Sequence, residues 1–181
     1  SSDALFDQAI QFSNPYTLAF KTKQDGVELA TEVARLLGCD TFDIVCWRSK
    51  DAWDVLAASR AATSKIVNPQ ELLQVFEPWS PGVGDETELP EEIIQAFQNG
   101  LAQRKPTMLG TTREEGRLFI WLLFKNRLRN ISYRLFLKAL LPTFYRDIIR
   151  LYRADNSLQA DQREVLSEVT TDYIFHCVNV N

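Results

Sequence analysis

Apolar residues along this chain recur mostly three and four apart, and only two short stretches follow the spacing or composition of strands. Ala9–Phe12 alternates and is closed by Asn14-Pro15, which predicts a short strand running into a loop. Asp25, with Glu28 three residues later, offers a capping box, and Val27, Ala30, Val33, Ala34 and Leu37 share one helical face up to Gly38. A second helix is expected over about Asp51–Ser59, with Ala52, Val55 and Leu56 inward. Glu71–Phe76 reads as a short element leading into Pro78–Pro90, a loop rich in Pro, Gly and acid. Pro90 suits the first position of a helix that Gly100 closes, with Ile93, Ile94 and Phe97 inward. Thr107, Met108 and Leu109 read as a short buried strand that exits at Gly110. From there the pattern is helical: Arg117–Asn126, Ser132–Leu140, Thr143–Arg153 and Ala160–Cys177, with Pro142 dividing the middle pair. Val165, Leu166, Val169 and Tyr173 form the stripe of the last helix. The sum is two strands among about seven helices, with no repeat.

Composition narrows the class. Of the 181 residues 45% are hydrophobic, including eleven Phe, so the chain can bury a sizeable core. A net charge of −4 argues against a nucleic-acid-binding surface. No run approaches the roughly 20 apolar residues of a membrane span, and LFIWLLF (Leu118–Phe124), flanked by Arg117 and Lys125, reads as a buried helix. Lys125, Arg127, Arg129 and Arg134 stand together with no acid between them, which predicts a solvated helix face or a partner-binding surface. Among these basic residues lies the one N-glycosylation sequon, Asn130-Ile131-Ser132. Cys39 and Cys46 end an eight-residue segment that suits a disulfide, a metal pair or two thiols. A zinc site would need more ligands than the distant His176 and Cys177, so no metal is expected.

Candidate chemistry centres on KPTMLGTTREEG, Lys105–Gly116, where two adjacent carboxylates follow a strand exit. Open α/β sheets place their chemistry just past the carboxyl ends of strands. Glu114 and Glu115 fit equally well as acids in a helix's first turn.

The order of segments decides between those readings. LFDQAIQFSNP (Leu5–Pro15), LLGCDTFDIVCWR (Leu36–Arg48), PEEIIQAFQNG (Pro90–Gly100), the strand-plus-EEG unit, RDIIRLY (Arg146–Tyr152) and TTDYIFHCV (Thr170–Val178) follow one another at set distances. In that order the chain resembles, from Ser2 to about Val178, the middle of a type B carboxylesterase, the cholinesterase-like branch of the α/β-hydrolases. No single motif carries the resemblance; the ordered set does. It implies an α/β class, with residues 1–181 an internal segment of one hydrolase domain: about two strands of the central sheet plus a helix-rich, cap-like region. The nucleophile elbow Gly-x-Ser-x-Gly and the HGGG-type oxyanion loop do not occur in this sequence, and its one histidine is His176. The resemblance puts the nucleophilic serine shortly before Leu5 and the catalytic histidine well beyond Cys177, so His176 is not expected to be the base. Alone, such a segment would leave strand edges and helix faces open.

The same resemblance assigns residues. Glu115 matches the family's triad acid, which orients the histidine, fixes its tautomer and stabilises the imidazolium; a one-residue slip would give that part to Glu114. Ser13 matches a serine whose hydroxyl holds the acid in place, although Asn14-Pro15 replaces the usual glycine after it and puts the loop path in question. Gly116 is expected for a tight turn beside the acid. Cys39 and Cys46 match a disulfide-linked pair, and Cys177 matches a cysteine whose partner lies far downstream. Phe76 and Trp79 match positions at the approach to the family's gorge, though packing explains aromatics there as well, and GVGDETEL departs from the usual pattern. The implied function is a secreted or lumenal serine ester hydrolase with no cofactor, acting on a small-molecule ester together with the remainder of its domain. The alternative is a catalytically silent cholinesterase-like binding or adhesion domain.

Overall fold

The two predicted strands lie side by side. A computed structural model describes residues 5–63, 79–84, 89–101, 104–155, 157 and 159–180. In it β1 (Ala9–Phe12) pairs in parallel with β4 (Thr107–Gly110), Ala9 opposite Thr107 and Phe12 opposite Gly110. The Ala9 N–H donates to the Pro106 carbonyl at 3.0 Å and the Ser13 N–H to the Gly110 carbonyl at 2.8 Å, so the pairing extends one step past each end. The Phe12 ring covers the bare face of Gly110, where a Cβ would stand 2.5 Å from it.

The chain divides into two units, Ser1–Leu18 with Ile93–Asn181, and Ala19–Glu92. The latter unit holds β2 (Lys21–Thr22) paired in parallel with β3 (Gly82–Val83), and helices α1 (Lys23–Leu37), α2 (Ile44–Ser49) and α3 (Ala52–Thr63). Its α1 packs on α3, and Val33, Ala34 and Ala58 are buried. The capping box sits one turn earlier than the sequence suggests. Thr22 caps α1 and Asp25 reciprocates from the third helical position: the Thr22 hydroxyl accepts the Asp25 N–H and the Asp25 carboxylate accepts the Thr22 N–H, so the pair satisfies two donors at the helix start. In α3 the inward face is carried by Ala58 and the partly buried Val55, while Ala52 and Leu56 are exposed. Pro90 does not open its helix, which starts at Ile93; just ahead of it the Glu92 carboxylate accepts the Phe20 N–H at 3.0 Å. The expected element Glu71–Phe76 lies outside the described residues.

Cys39 and Cys46 form a disulfide. It ties the left-handed Gly38 cap of α1, at φ 67, to the first turn of α2, where Asp43 caps the Cys46 N–H at 3.0 Å. Closing so short a loop stabilises the fold by roughly 2–3 kcal/mol on the chain-entropy account.

The other unit carries the main core. Helices α4 (Ile93–Gln98), α5 (Arg117–Leu123), α6 (Asn130–Leu140), α7 (Tyr145–Leu151) and α8 (Arg163–Thr171) precede a π-helical turn at Asp172–His176 and a last turn, α9 (Cys177–Val180). Tyr133 and Leu137, one turn apart on α6, meet Ile120 of α5, Leu128, and Leu166 and Val169 of α8. Removing Leu137 to alanine would cost about 2–5 kcal/mol at such a site. The Tyr133 hydroxyl is buried with no partner among the described residues, and burial pushes its pKa up to about 12. The LFIWLLF helix departs from expectation: α5 ends at Leu123 and buries Ile120, while Leu118 and Leu122 are exposed. Its Trp121 ring lies under the Arg163 guanidinium at 3.7 Å. The last predicted helix is continuous in direction but not in pitch, since the Cys177 N–H bonds to the Asp172 carbonyl five residues back. Among the described residues no helix is long and apolar enough to cross a membrane.

Candidate functional site

Both strands of the β1–β4 pair run in the same direction, so their carboxyl ends deliver Ser13 and Thr111 to one edge. Ser13 adopts φ 60, a left-handed conformation that L-residues with a side chain take only under constraint. From there its Oγ donates to Glu115 Oε1 at 2.6 Å, across 102 residues of sequence. The Thr112 backbone N–H donates to the same oxygen, also at 2.6 Å. Burial pushes the Glu115 pKa up, but the bonds from the Ser13 hydroxyl, the Thr112 N–H and the Thr112 hydroxyl outweigh it and hold the group below its ordinary value. Glu115 is a partly buried, ionised acceptor at a strand end.

Glu114 points elsewhere. Its carboxylate binds Arg117 at 2.9 Å, and Arg117 continues to Glu164 at 2.9 Å, all three exposed. The two acids are therefore separated by direction, as adjacent residues of a turn require.

Gly116 has an ordinary right-handed backbone, φ −74 and ψ −18, so a tight turn is not why glycine stands there. A Cβ would meet the Ser167 carbonyl at 2.7 Å and the Thr170 Cβ at 2.7 Å. Glycine lets the start of α5 press onto α8, where the Gly116 N–H donates to Thr171 Oγ1 at 2.9 Å and that hydroxyl donates to the Ser167 carbonyl at 2.8 Å. Close packing behind Glu115 is the requirement.

The path after Ser13, which Asn14-Pro15 puts in question, is fixed by the π-helical turn. Thr17 Oγ1 donates to the Tyr173 carbonyl at 2.6 Å and is 3.1 Å from that of Ile174. Asn179 Nδ2 donates to the Asn14 carbonyl at 3.2 Å, and Asn14 Nδ2 donates to Gln11 Oε1 at 2.9 Å and reaches the Tyr16 hydroxyl at 3.1 Å. The carbonyls loosened by the widened turn thus receive donors from the loop that carries Ser13.

His176, at the end of that turn, is exposed, with Nδ1 3.3 Å from Thr111 Oγ1. Cys177 is exposed beside it. Trp79 donates its Nε1–H to Ser59 Oγ at 2.7 Å within its own unit, and Phe76 lies outside the described residues. Asn130 opens α6 with its carboxamide held at both ends, Nδ2 on the Asp155 carbonyl at 3.1 Å and Oδ1 accepting from Arg134 Nε at 2.6 Å.

The sequence reading missed Thr112, Thr171 and Thr17. Thr112 had a legible signal: Thr112-x-x-Glu115 is itself capping-box spacing, and the reach of Glu115 back to the Thr112 N–H is half of that motif. Such a bond suits a purely structural acid as well. The bond from Ser13 is what a local cap does not explain.

The chain has recognisable relatives. The carboxylesterase family profile matches residues 1–181. The chain is 30% identical over 176 residues to the crystal protein of Dictyostelium discoideum and 30% identical over 172 residues to the cAMP-regulated D2 protein of the same organism, covering 97% and 95% of this chain but only 32% and 31% of theirs. It is 29% identical over 119 residues to the para-nitrobenzyl esterase of Bacillus subtilis, 66% of this chain and 23% of that protein. Its backbone superposes on a PNB esterase with a TM-score of 0.67 at 24% identity, covering 99% of this chain and 35% of that one, and on a thermophilic PNB esterase with 0.59. The fold is that of the α/β-hydrolases in part, and the chain spans about a third of the length of these relatives. Matched along its whole length, the chain belongs to the carboxylesterase family.

Proposed function

We propose that these residues form the acid-bearing segment, internal to a single hydrolase domain, of a serine ester hydrolase, with Glu115 as the triad acid and Ser13 as the residue that positions it. The observation that carries this reading is the 2.6 Å bond from Ser13 Oγ to Glu115 Oε1 at the shared carboxyl edge of two parallel strands. A carboxylate held there, ionised by its hydrogen bonds, accepts the N–H of a histidine and fixes the tautomer that can take a proton from serine. The serine attacks an ester carbonyl, an alkoxide leaves with that proton, and water then cleaves the acyl-serine. The serine and histidine are supplied by the remainder of the domain, because the 181 residues contain no Gly-x-Ser-x-Gly and His176 lies on Thr111. The disulfide favours a secreted or lumenal protein. Glycosylation at Asn130 would be compatible with that compartment but would disturb its bond to the Asp155 carbonyl.

A second reading has its own support: the two Dictyostelium relatives carry names that state no hydrolytic activity. A catalytically silent binding domain would keep the Ser13–Glu115 bond as packing. Treating the intact protein with an organophosphonate ester separates the two. The esterase reading expects one covalent adduct per chain on a serine within Gly-x-Ser-x-Gly; an intact protein that stays unmodified supports the silent domain.

A further inference from the structure

The bond from Ser13 to Glu115 joins two side chains that are each moored, within a few residues, to one stretch of helix. Beside Glu115, Gly116 donates its N–H to Thr171 Oγ1 at 2.9 Å, on the last residue of α8. Beyond Ser13, Thr17 donates its hydroxyl to the Tyr173 carbonyl at 2.6 Å, in the π-helical turn that follows α8 directly. Asn179 of α9 adds a second tie, from Nδ2 to the Asn14 carbonyl at 3.2 Å. Thr171, Tyr173 and Asn179 all belong to the unbroken helical run 163–180.

The loop that carries Ser13 needs such ties. A residue with a Cβ keeps φ 60 only where its surroundings impose it. Bonds among Gln11, Asn14 and Tyr16 stay within the loop and set its shape, not its place on the helix. The Ser13 N–H on the Gly110 carbonyl fixes the strand side alone. Drift of the loop would break the bond it presents, since a hydroxyl on a carboxylate spans only about 2.5–2.7 Å and this one stands at 2.6 Å. The widened turn is where two carbonyls inside the helical run, those of Tyr173 and Ile174, come within reach of the Thr17 hydroxyl.

We infer that Thr17 and Asn179 are positioning residues of the site, holding Ser13 at the distance from Glu115 that its bond requires. Both act through Ser13 and not on the reacting atoms. Because Glu115 is moored to the same helical run through Gly116 and Thr171, that run sets both ends of the bond. This role rests on the reading of Glu115 as the triad acid.

The test is steady-state hydrolysis of a chromogenic ester by the intact protein and its variants, each checked for folding by circular dichroism. Thr17→Val keeps the shape of the side chain and removes the donor. It should lower kcat about 10- to 100-fold with KM nearly unchanged, the upper figure being the loss that a displacement of about 1 Å can cause. Thr17→Ser keeps the hydroxyl and should restore most of the lost rate. Asn179→Ala should lower kcat in the same way by a smaller factor, and it decides the question if Thr17→Val does not fold. Combining either loss with Ser13→Ala should be no worse than Ser13→Ala alone, because all act through one bond. Losses that multiply, an unchanged kcat in both single variants, or a Thr17→Ser enzyme as slow as Thr17→Val would overturn the inference. Glu115→Gln, run in parallel, separates the two failures. A Glu115→Gln enzyme of near-normal kcat, or an intact protein with no esterase activity, overturns the acid assignment and this role with it. A slow Glu115→Gln enzyme beside normal Thr17→Val and Asn179→Ala enzymes overturns this role alone.

Discussion

Ser13 holds φ 60 on a β-strand exit where any residue with a Cβ is strained by about 1–2 kcal/mol. The strain is offset by what the conformation allows, a 2.6 Å bond to Glu115 and the 2.8 Å bond from its own N–H to the Gly110 carbonyl. This separates two contributions of the residue, backbone and hydroxyl. Ser13→Gly relieves the strain and Ser13→Ala keeps it, so the glycine variant should be the more stable by about 1 kcal/mol in urea unfolding, although both lose the bond. The acid's titration gives a second check. Glu115 has a folded pKa below its unfolded value of about 4.3, so the stability it contributes is present above that value and is lost as pH falls through the folded one. Without the Ser13 hydroxyl the folded pKa moves back up. The stability gap between wild type and Ser13→Ala should therefore be widest near neutrality and narrow below about pH 4. A gap that is constant with pH would mean the bond does not bias the ionisation of Glu115.

At the scale of elements, the placement of Glu115 depends on how closely α5 meets α8. Gly116 is the point of contact, and its neighbours there are the Ser167 carbonyl and the Thr171 N–H, which cannot rotate away. Gly116→Ala should destabilise the fold by about 1–3 kcal/mol, read as a lowered Tm of the intact protein. Thermal unfolding of the variant checks this, and an unchanged Tm would mean that the two helices can separate freely. The glycine's identity was plain in the sequence but its reason was not, because the carbonyl it must approach lies some fifty residues away. The same limit explains other differences. The α1 cap slid to Thr22 because Thr22-x-x-Asp25 and Asp25-x-x-Glu28 are both capping spacings, and local pattern does not rank them. Strands β2 and β3 are two residues each, too short for any period to show. The π-helical turn left the apolar stripe of Val165, Leu166, Val169 and Tyr173 intact, so it shows only in the backbone bond from Cys177 to Asp172 and in the Thr17 hydroxyl that the Tyr173 carbonyl receives. Cores of longer helices were legible, since Val33 with Ala34, and Leu166 with Val169, follow directly from helical spacing.

At the scale of the molecule, the β1–β4 pair lacks the cover that parallel strands ordinarily have on both faces. Ile10, Phe12 and Met108 are each at least 60% exposed on it. An α/β-hydrolase sheet of about eight strands would provide neighbours and flanking helices, in keeping with a chain that spans about a third of its relatives. The family was readable from the order of six segments, whereas a serine and histidine that would complete a triad with Glu115 have no counterpart in these 181 residues. The central claim, that Glu115 is the acid of a serine esterase, is tested most directly by kcat for hydrolysis of a chromogenic ester by the intact protein, compared with its Glu115→Gln and Glu114→Gln variants. Glu115→Gln should lower kcat about 10³–10⁴-fold with KM nearly unchanged, and Glu114→Gln, which removes only an exposed pair with Arg117, should leave it within about threefold. A Glu115→Gln enzyme with near-normal kcat, or an equal loss in Glu114→Gln, would contradict the assignment.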